Sequence, residues 1–228
     1  MDEKMPQYAS KKRKSRSKKA KYTSSSSASS SASILRSTAN APETKCQALE
    51  GVTQFNSAGN ILCLNGVVRG TDINQRIGRR ICLKGLLFRG VVQLTGAAVS
   101  AGEMLRLLLV YDRQTNQANP SVSDIIQDAN GAGTDNMSYM NINNTKRFVV
   151  LAKANWYEST KLDTNEFTSR MCEIFVPAKK IRNLITEFNS GVAGDVTDII
   201  SGGLFAVWIG LTGNWSLSWK CRWRWCDL

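Results

Sequence analysis

Two stretches of this 228-residue chain have residue types that could do chemistry, and both point to electrostatics. The first, KKRKSRSKKAK at residues 11 to 21, places eight cations in eleven positions: Lys11, Lys12, Arg13, Lys14, Arg16, Lys18, Lys19 and Lys21. Each can neutralise a phosphate and release a counterion, which gives strong, salt-sensitive and sequence-tolerant binding to nucleic acid. The second, WSLSWKCRWRWC at residues 215 to 226, alternates. Trp215, Leu217, Trp219, Cys221, Trp223 and Trp225 lie on one side, and Lys220, Arg222 and Arg224 on the other. Interleaved rings and cations can stack bases and follow phosphates. A half-buried strand buries one face, however, and all four rings share that face. The rings are therefore expected in a core, and the three cations on an outer face turned toward nucleic acid or a neighbouring subunit.

What is missing narrows the chemistry further. The chain has no histidine, which removes the usual general base and the histidine-dependent nucleophile systems. Neither a GxxxxGK[ST] loop nor a GxGxxG turn after a strand is present. No enzymatic activity and no cofactor is expected. Six cysteines are scattered without a CxxC pair, so no zinc site is expected and the thiols should be free and mostly buried. The N-terminus opens with charge rather than an apolar leader, and no apolar run reaches the roughly 20 residues of a membrane span.

The elements that must position these residues divide the chain in two. The formal net charge is +12, and residues 1 to 44 hold ten Lys or Arg against Asp2, Glu3 and Glu43, a net of +7. The cationic run leads into TSSSSASSSAS, residues 23 to 33, which has too little to bury to repay the entropy of ordering. Residues 1 to 44 are expected to form a disordered basic arm that doubles as a nuclear localisation signal. Residues 45 to 228 read as eight or nine short strands rich in β-branched and aromatic residues, bounded by Gly, Asn, Asp or Pro. Ser121 with Asp124 three residues on predicts a capping box opening one short helix over 122 to 128. Many strands and almost no helix predict a two-sheet sandwich or barrel.

Three stretches, GTDINQRIGRRICLKGLLFRGVV (70 to 92), MLRLLLVYDRQTNQANPSVSDII (104 to 126) and DIISGGLFAVWIGLTG (198 to 213), resemble in order and spacing the capsid proteins of circular Rep-encoding single-stranded DNA (CRESS-DNA) viruses. KRFVVLAKANW (146 to 156) fits the same pattern more loosely. The resemblance implies an all-β, eight-stranded jelly-roll sandwich behind the arm. It also implies self-assembly of about 60 copies into a T = 1 icosahedral shell around a circular single-stranded DNA genome. The chain would then reside in the virion, and in the host nucleus during assembly, with a nuclear import receptor as a further partner and no membrane insertion. Single-stranded RNA cargo, as in satellite virus capsids, and a nuclear DNA-binding or shuttle protein that forms no shell are the alternatives.

Charge balance tests whether the arm suffices. About 60 arms of net +7 supply roughly 420 positive charges, against about one negative charge per nucleotide. A gene for this chain alone needs about 680 nucleotides, so an inner wall must contribute. Arg76, Arg79 and Arg80, which enter a strand, and Lys220, Arg222 and Arg224 are the candidate wall residues, with Lys179, Lys180 and Arg182 as a further cluster.

Overall fold

The computed structural model describes residues 43–95, 103–127, 135–158, 169–181 and 184–228. Its strands are β1 (Lys45–Gln54), β2 (Asn60–Cys63), β3 (Arg80–Leu94), β4 (Glu103–Asp112), β5 (Ile126–Gln127), β6 (Tyr139–Met140), β7 (Phe148–Glu158), β8 (Ser169–Val176), β9 (Ile185–Phe188), β10 (Ile199–Ser201), β11 (Gly203–Ile209) and β12 (Trp215–Asp227). Two short helices, α1 (Val122–Ile125) and α2 (Ala178–Ile181), complete the set with two 3₁₀ turns.

Strand pairing decides the architecture. β1 pairs with β12, β2 with β11, β3 with β8 and β4 with β7, all antiparallel. This is one long eight-stranded hairpin whose first strand meets its last and whose two middle strands meet each other. The added pairings of β12 with β3 and β11 with β4 roll that hairpin into two sheets, β1-β12-β3-β8 and β2-β11-β4-β7. The result is a jelly roll. β9 and β10 extend the first sheet alongside the start of β3, and β5 and β6 form a separate small ribbon.

β12 shows why these residues make this fold. Trp215, Leu217, Trp219, Cys221, Trp223 and Trp225 are all buried, while Ser218, Lys220, Arg222 and Arg224 are exposed. The tryptophan side packs into the main core with Phe88, Trp208 and β4's Leu105, Leu107 and Leu109. Phe88 stacks on Trp219 with centroids 5.9 Å apart, and Trp223 meets Trp225 at 4.5 Å. Among the described residues the indole N–H groups of Trp215, Trp219, Trp223 and Trp225 have no hydrogen-bond partner. The rings therefore stabilise by apolar area and packing, offset in part by four desolvated donors.

A second apolar cluster covers the outer face of the β2-β11-β4-β7 sheet. Leu108, Val110, Val207 and Ile209 lie there beneath Ile125 and Ile126, with Phe148 at their edge. The capping box at Ser121 forms as predicted, with Asp124 N–H donating to the Ser121 hydroxyl and Ser121 N–H to the Asp124 carboxylate. α1 nevertheless ends at Ile125, because Ile126 and Gln127 leave it to pair with Met140 and Tyr139. The strand that begins at Asn60 likewise stops early, at Cys63. Beyond it, Asn65 is fully buried and bonds to the Thr186 hydroxyl, the Gly202 carbonyl and the Leu204 N–H, tying this turn to two distant segments. Gly202, at φ +79°, lies so close to the Ile185 carbonyl that a side chain has no room.

Candidate nucleic-acid interface

The outer face of the β1-β12-β3-β8 sheet carries the exposed cations of β12, and its register sorts its side chains into rows. In one row Glu50, Lys220, Arg89 and Glu173 lie side by side across four strands. Lys220 Nζ is 2.9 Å from the Glu50 carboxylate, and Arg89 Nε is 2.8 Å from that of Glu173. The row is thus charge-balanced. In the next row Ala48, Arg222, Leu87 and Phe175 are aligned, followed by Cys46, Arg224 and Gly85. Arg222 and Arg224 have no ionic or hydrogen-bond partner among the described residues. Lys220 had the same sequence signal as its two neighbours, and only the strand order places a carboxylate beside it.

Lys84 joins this face through a bulge. The β12 register passes from Arg224 opposite Gly85 to Trp225 opposite Leu83, which leaves Lys84 without a partner on β12. Leu86, Phe88 and Val92 point into the core on one side of the bulge, and Ile81 and Leu83 on the other. One extra residue shifts the alternation by one. Lys84 and Gly85 can therefore both lie on the outer side, where they line a concavity with Leu87, Phe175, Arg222 and Arg224. Phe175 is 66% exposed. The sequence reading missed Lys84 and Phe175, since a bulge leaves no mark in an alternation pattern.

The other candidates fall in different places. Arg79 and Arg80 are exposed where the chain enters β3. Arg76 is a correction: it is fully buried, and so is withdrawn from the nucleic-acid contacts. Its guanidinium donates to the carbonyls of Val67 (3.1 Å), Gly78 (3.0 Å) and Gly191 (2.6 Å) and lies over the Phe188 ring, which makes it a brace between loops. Burial lowers its pKa, opposed by the charge of Asp198. Lys179 and Lys180 are exposed on α2. Arg182 and the cluster from Lys11 to Lys21 lie outside the described residues.

Two further ionic contacts are structural. Arg147 clasps the buried Asp112 with both a 2.9 Å and a 2.8 Å bond, and this hydrogen bonding raises the arginine pKa. Lys45, almost wholly buried, bridges Asp227 at 3.0 Å and donates to the Gln75 carbonyl. Among the described residues no group of three His, Cys, Asp or Glu is placed to hold a metal ion, and no helix is long and apolar enough to cross a membrane.

Fold and surface together define a jelly-roll protein whose distinctive feature is a sheet face that carries unpaired cations. A family model for the geminivirus coat protein/nuclear export factor BR1 family matches residues 2–209, and the chain belongs to that family. It is a viral coat protein of the single-stranded DNA virus kind, in agreement with the capsid resemblance of its sequence. No curated protein sequence matches the chain. Among solved structures, the infectious bursal disease virus VP2 subviral particle is similar at 12% identity and a TM-score of 0.25, over 82% of this chain and 33% of that one. VP2 of the Gx strain matches at 12% identity and 0.29, over 81% and 33%. The chain thus spans about a third of these VP2 chains. The 60-mer BFDV capsid protein matches at 8% identity and 0.27, over 82% of this chain and 94% of that one. The fold assignment rests on the strand pairing itself.

Proposed function

We propose that this coat protein closes into a T = 1 shell of about 60 copies and packages a circular single-stranded DNA genome. Residues 1 to 44 serve as the nucleic-acid-binding arm, through Lys11, Lys12, Arg13, Lys14, Arg16, Lys18, Lys19 and Lys21, and carry the nuclear import signal. Arg79, Arg80, Arg222 and Arg224 supply inner-wall charge, and Lys220 contributes less because Glu50 shares its charge. The observation that carries the shell reading is the apolar surface that one copy leaves exposed away from the basic sheet face: Ile73 in the loop before β3, and Met137, Tyr139 and Ile142 in and around β6, are 66 to 81% accessible. Large apolar side chains exposed in this number fit a protein that completes its burial against symmetry mates.

Electron microscopy of the purified chain tests this directly. Closed particles of about 60 subunits are expected. Monomers or small soluble oligomers across salt and pH would overturn shell formation, and closed particles of another copy number would overturn T = 1 alone. Packaged material should be lost to DNase but not RNase after the shell is opened; the reverse result would assign single-stranded RNA. The family name also includes a nuclear export factor, so a shuttle protein that forms no shell is the second reading. Deleting residues 1 to 36 separates the two: a shell former still assembles but loses cargo, whereas a simple binder loses its whole activity.

A further inference from the structure

Resting on that packaging reading, we infer that the concavity between β3, β8 and β12 is a single-strand nucleotide subsite. Phosphates sit among Lys84, Arg222 and Arg224, and a base stacks on Phe175. Four observations converge on it. The concavity, 360 Å³ in volume, is lined by three cations and no carboxylate. The adjoining one on the same sheet, 470 Å³, shares Arg222 with it, but its other two cations, Lys220 and Arg89, are matched by glutamates, so it adds no unpaired cation of its own. The bulge at Lys84 adds a third cation to a face where unbroken alternation would have turned it inward. Phe175 stands in the same cross-strand row as Arg222, two strands away and roughly 10 Å by backbone spacing.

A ring beside unpaired arginines suits an unstacked base with its backbone better than a duplex, whose bases are already covered. Charge complementarity favours nucleic acid over a second copy of this chain. The chain carries net +12, and its only adjacent carboxylates are Asp2 and Glu3, so it has no acidic run to match three clustered cations. Lys179 and Lys180, exposed on α2 next to the lining residue Ala178, extend the basic border along which a strand would leave the site.

Photo-crosslinking of the full chain with an iodouracil-substituted oligothymidylate tests the subsite, because it reports position and the arm cannot mask it. The crosslinked peptide is expected to contain Phe175. The yield should fall roughly tenfold in Phe175→Leu, which keeps apolar bulk but loses the ring face. In Arg222→Gln/Arg224→Gln the salt dependence of binding, as the log–log slope, should become shallower by about 1.4. Crosslinks confined to residues 1 to 44, in particles that still hold DNA, would overturn the subsite and leave the packaging reading intact. Absence of any nucleic-acid binding would overturn both. Unchanged crosslinking and slope with failed assembly in the double variant would assign this face to a neighbouring subunit and likewise overturn the subsite.

Discussion

The guanidinium carbon of Arg76 lies 4.2 Å from the centroid of the Phe188 ring, with three backbone carbonyls completing its shell. A charged group so enclosed holds loops together and cannot reach a polyanion. Arg76→Met would leave those carbonyls without their donors, at a cost of about 3 kcal/mol or more. Denaturant unfolding should show the loss, and the folded fraction should bind oligonucleotide with an unchanged salt slope.

Asp112 and Arg147 make the second such test. The carboxylate is fully buried and also accepts the Gln114 N–H, so Asp112→Ala strands a cation and frees a turn. A loss of about 3–5 kcal/mol is expected in denaturant unfolding. Arg147→Lys, which keeps charge but not the two-pronged geometry, should recover only part of it.

Trp223 separates ring volume from the indole donor. Trp223→Ala opens a cavity in the main core and should cost about 3–5 kcal/mol. Trp223→Phe loses some area but removes a donor that has no partner, so its cost should be about 1 kcal/mol. Equal costs for the two variants in denaturant melts would show that the N–H is satisfied.

The thiols set an alkaline limit. Burial pushes Cys221 up to about 12 and Cys63 up to about 11 from the ordinary 9.0, and Tyr111 up to about 12 from 10.0. A raised folded-state pKa means the native protein holds its proton where the unfolded chain has released it. That stability is fully present below about pH 9 and is lost as pH rises toward 12. Urea midpoints measured from pH 8 to 11 should decline, and less steeply in Cys221→Ala. At neutral pH a thiol reagent should modify exposed Cys46 well ahead of the buried Cys82, Cys172, Cys221 and Cys226.

Lys220 and Arg222 look alike in the sequence but should differ in effect. Lys220 already shares its charge with Glu50, and both side chains are highly exposed, so the pair is screened. Lys220→Gln should leave the melting temperature unchanged and remove less packaged nucleic acid than Arg222→Gln, measured as the absorbance ratio of purified particles.

The β12 pattern was legible because a period-two strand cannot place four large rings on one side without burying them, whatever its neighbours. The capping box at Ser121 was legible for a similar reason, since its two bonds close within four residues. The length of α1 was not, because Ile126 and Gln127 are taken by partners on β6, more than ten residues on. Arg76 was misread on the same ground: its main acceptor beyond the local loop, Gly191, is 115 residues away.

By itself the sequence determined that this is an all-β protein with a basic N-terminal segment and a tryptophan-faced last strand. These follow from composition and from periods within single segments, which no partner can alter. Which cations remain available only the tertiary structure decided. Glu50 neutralises Lys220 because β1 lies beside β12, a bulge turns Lys84 outward, and distant loops enclose Arg76. A cation's free charge depends on what is brought within a few ångströms of it, and that is a property of strand order and register.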